Sequence, residues 1–155
     1  MATTTFFRRG VTKFIACPAV ADLAAPTRAE LTAGTVLTGI TAINGFQISN
    51  SPVDTPDLDS RFTSNVPGED KAGSSSLTFK DKNNSESTSI RAALAKNTSM
   101  VIVYMPYGDV PTKRCESWPA TSTGVNDVID MTKEAEFMVG FAIPTPPEQN
   151  GVIPA

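Results

Sequence analysis

The chain has no histidine. That removes the commonest general base, the usual zinc ligand sets and every Ser-His-Asp or Cys-His nucleophile pair. No convergent acid pair and no Gly-rich phosphate loop after a strand stands in for them. The reading is against an enzyme, and no cofactor or metal is expected. Cysteine is nearly absent. Cys17 and Cys115 lie far apart, so one bridge is possible, but without an export signal two thiols read first as reduced core residues. Positive charge is scarce too: the net charge is −3 and the pI about 4.9. No global basic field exists to hold nucleic acid, which excludes a dedicated DNA-binding protein. No segment approaches the ~18 apolar residues of a membrane span. Arg8-Arg9 before Phe14-Ile15-Ala16-Cys17 imitates a twin-arginine or lipoprotein signal. Lys13 and Asp22 interrupt the apolar run, so a first strand with a charged lead-in is expected and no export signal.

What is present is turn chemistry. Twelve prolines and ten glycines, with many Ser and Thr, favour short strands over a helical bundle. A length of 155 residues fits one domain, 1–155, with a sizeable core. Residues 1–10 read as an extended arm. Val11–Pro18 reads as a strand with apolar groups on both faces, and Thr27–Ala33 as one helical turn stopped by Gly34. Ile40–Asn50 reads as a strand in which Gly45 marks a bulge or a close backbone approach. Ser74–Phe79 alternates cleanly. Asn83 with Glu86 resembles a capping box, and Ile90, Ala93 and Leu94 then place one amphipathic helix at about Glu86–Lys96. Met100–Met105 is a continuous apolar run, hence a strand buried on both faces. Lys113–Trp118 and Pro119–Val125 read as two weaker strands. Ala135–Ile143 puts Phe137, Val139, Phe141 and Ile143 on one face, and residues 144–155 read as a Pro-rich tail without period. The fold class is mainly β: an antiparallel sandwich or barrel with one flanking helix, a long inter-strand loop and extended terminal arms.

The long loop, 51–73, is the most informative segment. Roughly two dozen residues separate the flanking strands, and a connection beyond about 15 residues is usually functional or disordered. Pro52 and Pro67 bracket three aspartates and the pair Arg61-Phe62. A planar cation beside an aromatic is a typical interface anchor, which argues against a floppy polar loop. A calcium loop fails, because a start at Asp57 puts Arg61 at the third ligand position and Phe62 where glycine is required.

The run Ala25–Thr35, then Gly45-Phe46, Val53–Asp57, Ser60–Ser64 and Ser75–Phe79, resembles the major tail tube protein of long-tailed, siphovirus-type bacteriophages, most of all those infecting actinobacteria. The likeness runs motif by motif through about the first half of the chain. The second half matches in its strand pattern and its ending, Val152-Ile153-Pro154-Ala155. It implies a structural virion protein whose hexameric rings stack into the tube that conducts the DNA genome, assembled in the host cytoplasm and residing in the virion tail. Implied partners are further copies of the chain and other tail proteins (tape measure, tail terminator, baseplate). Genomic DNA would pass through the lumen without specific binding, and no membrane is involved.

An acidic lining suits such a conduit, since every phosphate neutralised by Lys or Arg would add affinity and arrest the genome. Stacking needs segments that reach out of the compact body. The expected contact residues are Phe6, Phe7 and Arg8 in the arm, and Asp54, Pro56, Asp57, Arg61, Phe62 and Thr63 in the loop. The bland reading of the loop carboxylates and of the basic pairs Arg8-Arg9 and Lys113-Arg114 is a solvated surface. Two other functions share the strand pattern: a monomeric Ig-like binding module, and the tube of a tail-like secretion or injection system.

Overall fold

The computed structural model describes Thr5 and residues 8–155; Phe6 and Phe7 lie outside the described residues. The chain runs β1 (Lys13–Cys17), α1 (Arg28–Ala33), β2 (Thr35–Leu37), β3 (Ile40–Asn44), β4 (Ile48–Thr55), β5 (Ser64–Ala72), β6 (Ser75–Lys80), α2 (Ser85–Ala93), β7 (Ser99–Met105), β8 (Arg114–Val128), β9 (Glu136–Ala142) and β10 (Glu148–Val152). Eight strands form one antiparallel sheet in the order β2-β1-β7-β8-β9-β6-β3, with β10 paired to β8; β4 and β5 form a separate hairpin.

Alternation along the strands builds two cores, one on each face of the sheet. Phe14, Ala16, Met100, Ile102 and Trp118 point to the first, together with Leu77, Phe79, Phe137, Val139 and Phe141. Ile15, Cys17, Val101, Val103, Met105 and Cys115 point to the second. This is why β1 and β7 read as apolar on both sides. Leu37 of β2 and Ile40 of β3, from opposite ends of the sheet, pack on the same first core. The sheet is therefore curled until its two ends face each other.

Two helices cover the cores where one was expected in full. On the first core α2 buries Ile90, while Asn84 caps it by accepting from the Ser87 amide at 3.1 Å. The cap is one residue later than the spacing predicts, because Asn83 takes a left-handed φ of 50° to turn the chain. On the second core α1 buries Leu31 beneath a full capping box between Thr27 and Glu30. Three backbone and side-chain donors around Glu30, the Ala21 amide first, hold its carboxyl below the ordinary range.

Three sequence expectations are corrected. The expected strands 113–118 and 119–125 are one strand, β8, of 15 residues. Proline does not break it because Pro119 sits where the partner on one flank changes: β10 pairs through Ser117 and β9 from Thr121 onward. The C-terminal segment 144–155 is not a free arm. β10 pairs with β8, Ile153 is buried in the second core, and its amide donates to the Lys113 carbonyl at 3.0 Å. Its alternation is only five residues long, too short to register as a period. Finally, the expected strand 40–50 breaks at Gly45-Phe46 and divides into β3 and β4.

Candidate functional site

That break launches the hairpin. Gly45 has φ +79°, and a Cβ there would lie 2.5 Å from the Ser74 carbonyl oxygen, so only glycine lets the two backbones approach. Phe46 follows with φ 57°, an outlier for a bulky residue. Packing offsets the strain. The ring meets Trp118 edge-on at 5.7 Å and also contacts Phe14 and Phe141, while its amide donates to Ser75 Oγ at 3.0 Å. Phe46 thus pins the hairpin root to the first core.

Beyond the root the expected irregular loop 51–73 is corrected to an antiparallel hairpin, from Ile48 paired with Ala72 out to Thr55 paired with Ser64. Every residue of β4 is exposed, and in β5 only Gly68 and Ala72 are half-buried. With neither face buried, no apolar alternation marks the strands in the sequence. The prolines mislead as well. Pro52 and Pro67 fall together in the single register shift between Ser51 and Val53. A bulge tolerates the missing N–H that a regular ladder would not.

Side-chain hydrogen bonds replace a core. Asn50 Oδ1 accepts from the Gly68 amide at 3.2 Å, and Asn50 Nδ2 donates to the Gly68 carbonyl at 3.0 Å. Thr55 and Ser64 hydroxyls each donate across to the other's carbonyl at 3.1 Å. At the tip Asp57 Oδ1 accepts from the Asp59 amide at 2.9 Å and Ser60 Oγ from the Phe62 amide at 3.0 Å.

Six of the expected contact residues, Asp54, Pro56, Asp57, Arg61, Phe62 and Thr63, gather on this tip and all are exposed. Phe62 is 78% exposed, and Leu58 between the aspartates is fully exposed. Arg8 lies elsewhere: its guanidinium donates to the Tyr104 hydroxyl and stands 5.8 Å from that ring's centre. Arg114, one of the basic residues, is engaged with Glu116 at 3.0 Å and the Gln149 carbonyl at 3.1 Å.

The sequence reading missed a second apolar tip. Ile129 and Met131, in the turn between β8 and β9, are 90% and 100% exposed. Two large apolar residues in a turn next to Asp130 were the available signal. Also missed was a groove of about 780 Å³ between the facing ends of the sheet, where Val36 of β2 and Ile43 of β3 are about half exposed. Among the described residues no cluster of acidic or cysteine side chains could hold a metal ion, and no helix is long and apolar enough to cross a membrane.

A family model described as "Phage tail tube protein" matches residues 1–155. No curated protein matches the chain. Among solved structures it is similar to a chain in the tail of an empty gene transfer agent particle refined with C6 symmetry, at 12% identity and a TM-score of 0.57, covering 91% of this chain and 95% of that one. It is also similar to a chain in the sixfold-symmetrised baseplate of the anti-feeding prophage, at 12% identity and a TM-score of 0.62, covering 98% and 99%. A chain in the virion of a native gene transfer agent particle matches at 15% identity and a TM-score of 0.54, covering 75% and 88%. Identities this low establish a shared fold and nothing finer.

Proposed function

Because this chain belongs to the phage tail tube protein family, we propose that its copies close into hexameric rings that stack into the tube of a long-tailed phage. It is a structural protein of the tail tube and not an enzyme. The finer reading is a siphovirus-type tail on a phage of actinobacteria, assembled in the host cytoplasm on a baseplate, around a tape-measure protein and beneath a terminator. The sixfold symmetry of the similar gene transfer agent tail and anti-feeding prophage baseplate supports the ring size. Residues 1–155 act as one tube domain, and the hairpin tip, with Phe6, Phe7 and Arg8, makes the contacts between copies.

The observation that carries this is the β4–β5 hairpin. A two-stranded ribbon with both faces in water is marginal alone, yet here it is held in register and presents Leu58 and Phe62 to solvent. Closing a ring by rotation also gives the end strands β2 and β3 neighbours. A net charge of −3 suits a lumen along which a hydrated duplex slides without binding. The similarity to the anti-feeding prophage chain supports a second reading, the tube of a tail-like injection particle; neighbouring genes separate the two.

The test is negative-stain electron microscopy of the purified chain across a concentration series, beside Arg61→Ala and Phe62→Ala. Rings or tubes with a central channel are expected for the parent, and folded but unassembled protein for the variants. Normal tubes from both variants would rule out the hairpin as the contact element.

A further inference from the structure

We propose that the groove between the two ends of the curled sheet receives the β4–β5 hairpin tip of a second copy of this chain. The inference rests on the reading that the hairpin makes contacts between copies, and it names the surface that the hairpin reaches.

Charge is the first argument. Arg8, Arg9, Lys13 and Lys80 line the groove, and no carboxylate does. Lys80 reaches outward to Glu134 at 3.0 Å and Arg8 is held on Tyr104, whereas no ion pair engages Arg9 or Lys13 among the described residues. The hairpin tip carries the opposite sign, with Asp54, Asp57 and Asp59 against Arg61 alone. A chain with a net negative charge has thus gathered four of its cations at one concavity and three of its carboxylates at one tip. Opposed patches of this kind steer encounter and fix register.

Apolar surface and size agree with the charges. Val36 and Ile43 offer half-exposed aliphatic walls, and Leu58 and Phe62 are the matching exposed groups on the tip. About 780 Å³ falls within the ~300–1,000 Å³ of pockets that enclose a drug-sized molecule, which is room for a few side chains and not for a domain. The tip's own hydrogen bonds at Asp57 and Ser60 set its shape in advance, which lowers the ordering cost of docking. Within one chain Leu58 and Phe62 stand in solvent while the groove is open, so the pairing is between copies.

Charge reversal tests it. Arg9→Glu with Lys13→Glu, and separately Asp57→Lys with Asp59→Lys, should each raise the concentration needed for assembly at least about tenfold. All four changes in one chain should return it to within about threefold of the parent, because coupled sites are non-additive. Near-ultraviolet circular dichroism checks that each variant is folded. Loss of assembly in the hairpin pair with none in the groove pair would overturn the groove assignment and leave the hairpin reading standing. No loss in either would overturn both. Loss in the groove pair without rescue would mean that another segment, such as Phe6-Phe7, occupies the groove, and would also overturn the proposal.

Disulfide trapping needs no polymer. Leu58→Cys and Ile43→Cys on two differently tagged full chains should give an oxidised heterodimer, while Leu58→Cys with Asn126→Cys, outside the groove, should not. Native Cys17 and Cys115 are buried and do not compete. Absence of the specific heterodimer at the highest soluble concentration would contradict the docking.

Discussion

The curled sheet and the β4–β5 hairpin are built on opposite principles. In the sheet, β1 and β7 bury side chains on both faces, and every pairing is reinforced by one of two apolar cores. In the hairpin nearly every side chain faces water, and register is kept by Asn50 against Gly68 and Thr55 against Ser64. A net hydrogen bond contributes about 1 kcal/mol, against about 1.5–3 kcal/mol for a fully buried large side chain. The first region is specified by the chain's own apolar pattern. The second leaves its large apolar residues, Leu58 and Phe62, in solvent.

The contrast breaks most severely at Trp118, fully buried where Phe46 meets it edge-on. Trp118→Ala should cost about 3–5 kcal/mol of stability in denaturant titrations, against less than about 0.5 kcal/mol for the exposed Leu58→Ala. Equal losses would erase the distinction. Next comes the junction itself. Gly45→Ala forces a side chain onto the Ser74 carbonyl at a positive φ and should cost about 1–3 kcal/mol, with altered packing at Phe46 seen by near-ultraviolet circular dichroism.

Alkaline pH gives a smaller and more selective probe of the second core. Burial pushes the Cys17 thiol from its ordinary value of 9.0 up to about 11, so the folded state holds the proton more tightly than the unfolded chain. That contribution is complete below pH 9.0 and is lost as pH rises towards 11. Melting temperatures should therefore fall more steeply over this range in the parent than in Cys17→Ala, and parallel slopes would contradict the assignment. The smallest effect is expected at Ser117, whose buried hydroxyl has no hydrogen-bond partner among the described residues. Ser117→Ala should be neutral or stabilising by up to about 1 kcal/mol in the same titration.

Legibility in the sequence follows the same division. β7 and β9 could be read almost residue by residue, because Met100–Met105 is continuously apolar and Phe137, Val139 and Phe141 alternate. The Thr27–Gly34 turn and the demand for glycine at position 45 were legible from local chemistry. The hairpin strands were not, since exposure on both faces removes the period and the paired prolines imitate strand ends. The docking of residues 148–153 was hidden because it depends on one buried side chain, Ile153, and on backbone bonds to distant Ala24 and Lys113. Of the candidate contact residues, those that fall on the hairpin tip were picked out by Arg61-Phe62 and the aspartates. The groove was not, because it exists only once the two ends of the sheet are brought face to face.

The most direct test of a hairpin that neighbouring copies cover is amide hydrogen exchange, measured on the same protein free and assembled. Residues 48–55 and 64–72 should exchange quickly in the free chain, while β7 and β8 are protected to the level of global unfolding. On assembly the hairpin amides should slow by at least about a hundredfold while those of β7 barely change. Hairpin amides already as protected as β7 in the free chain, or equally fast in both states, would contradict the account.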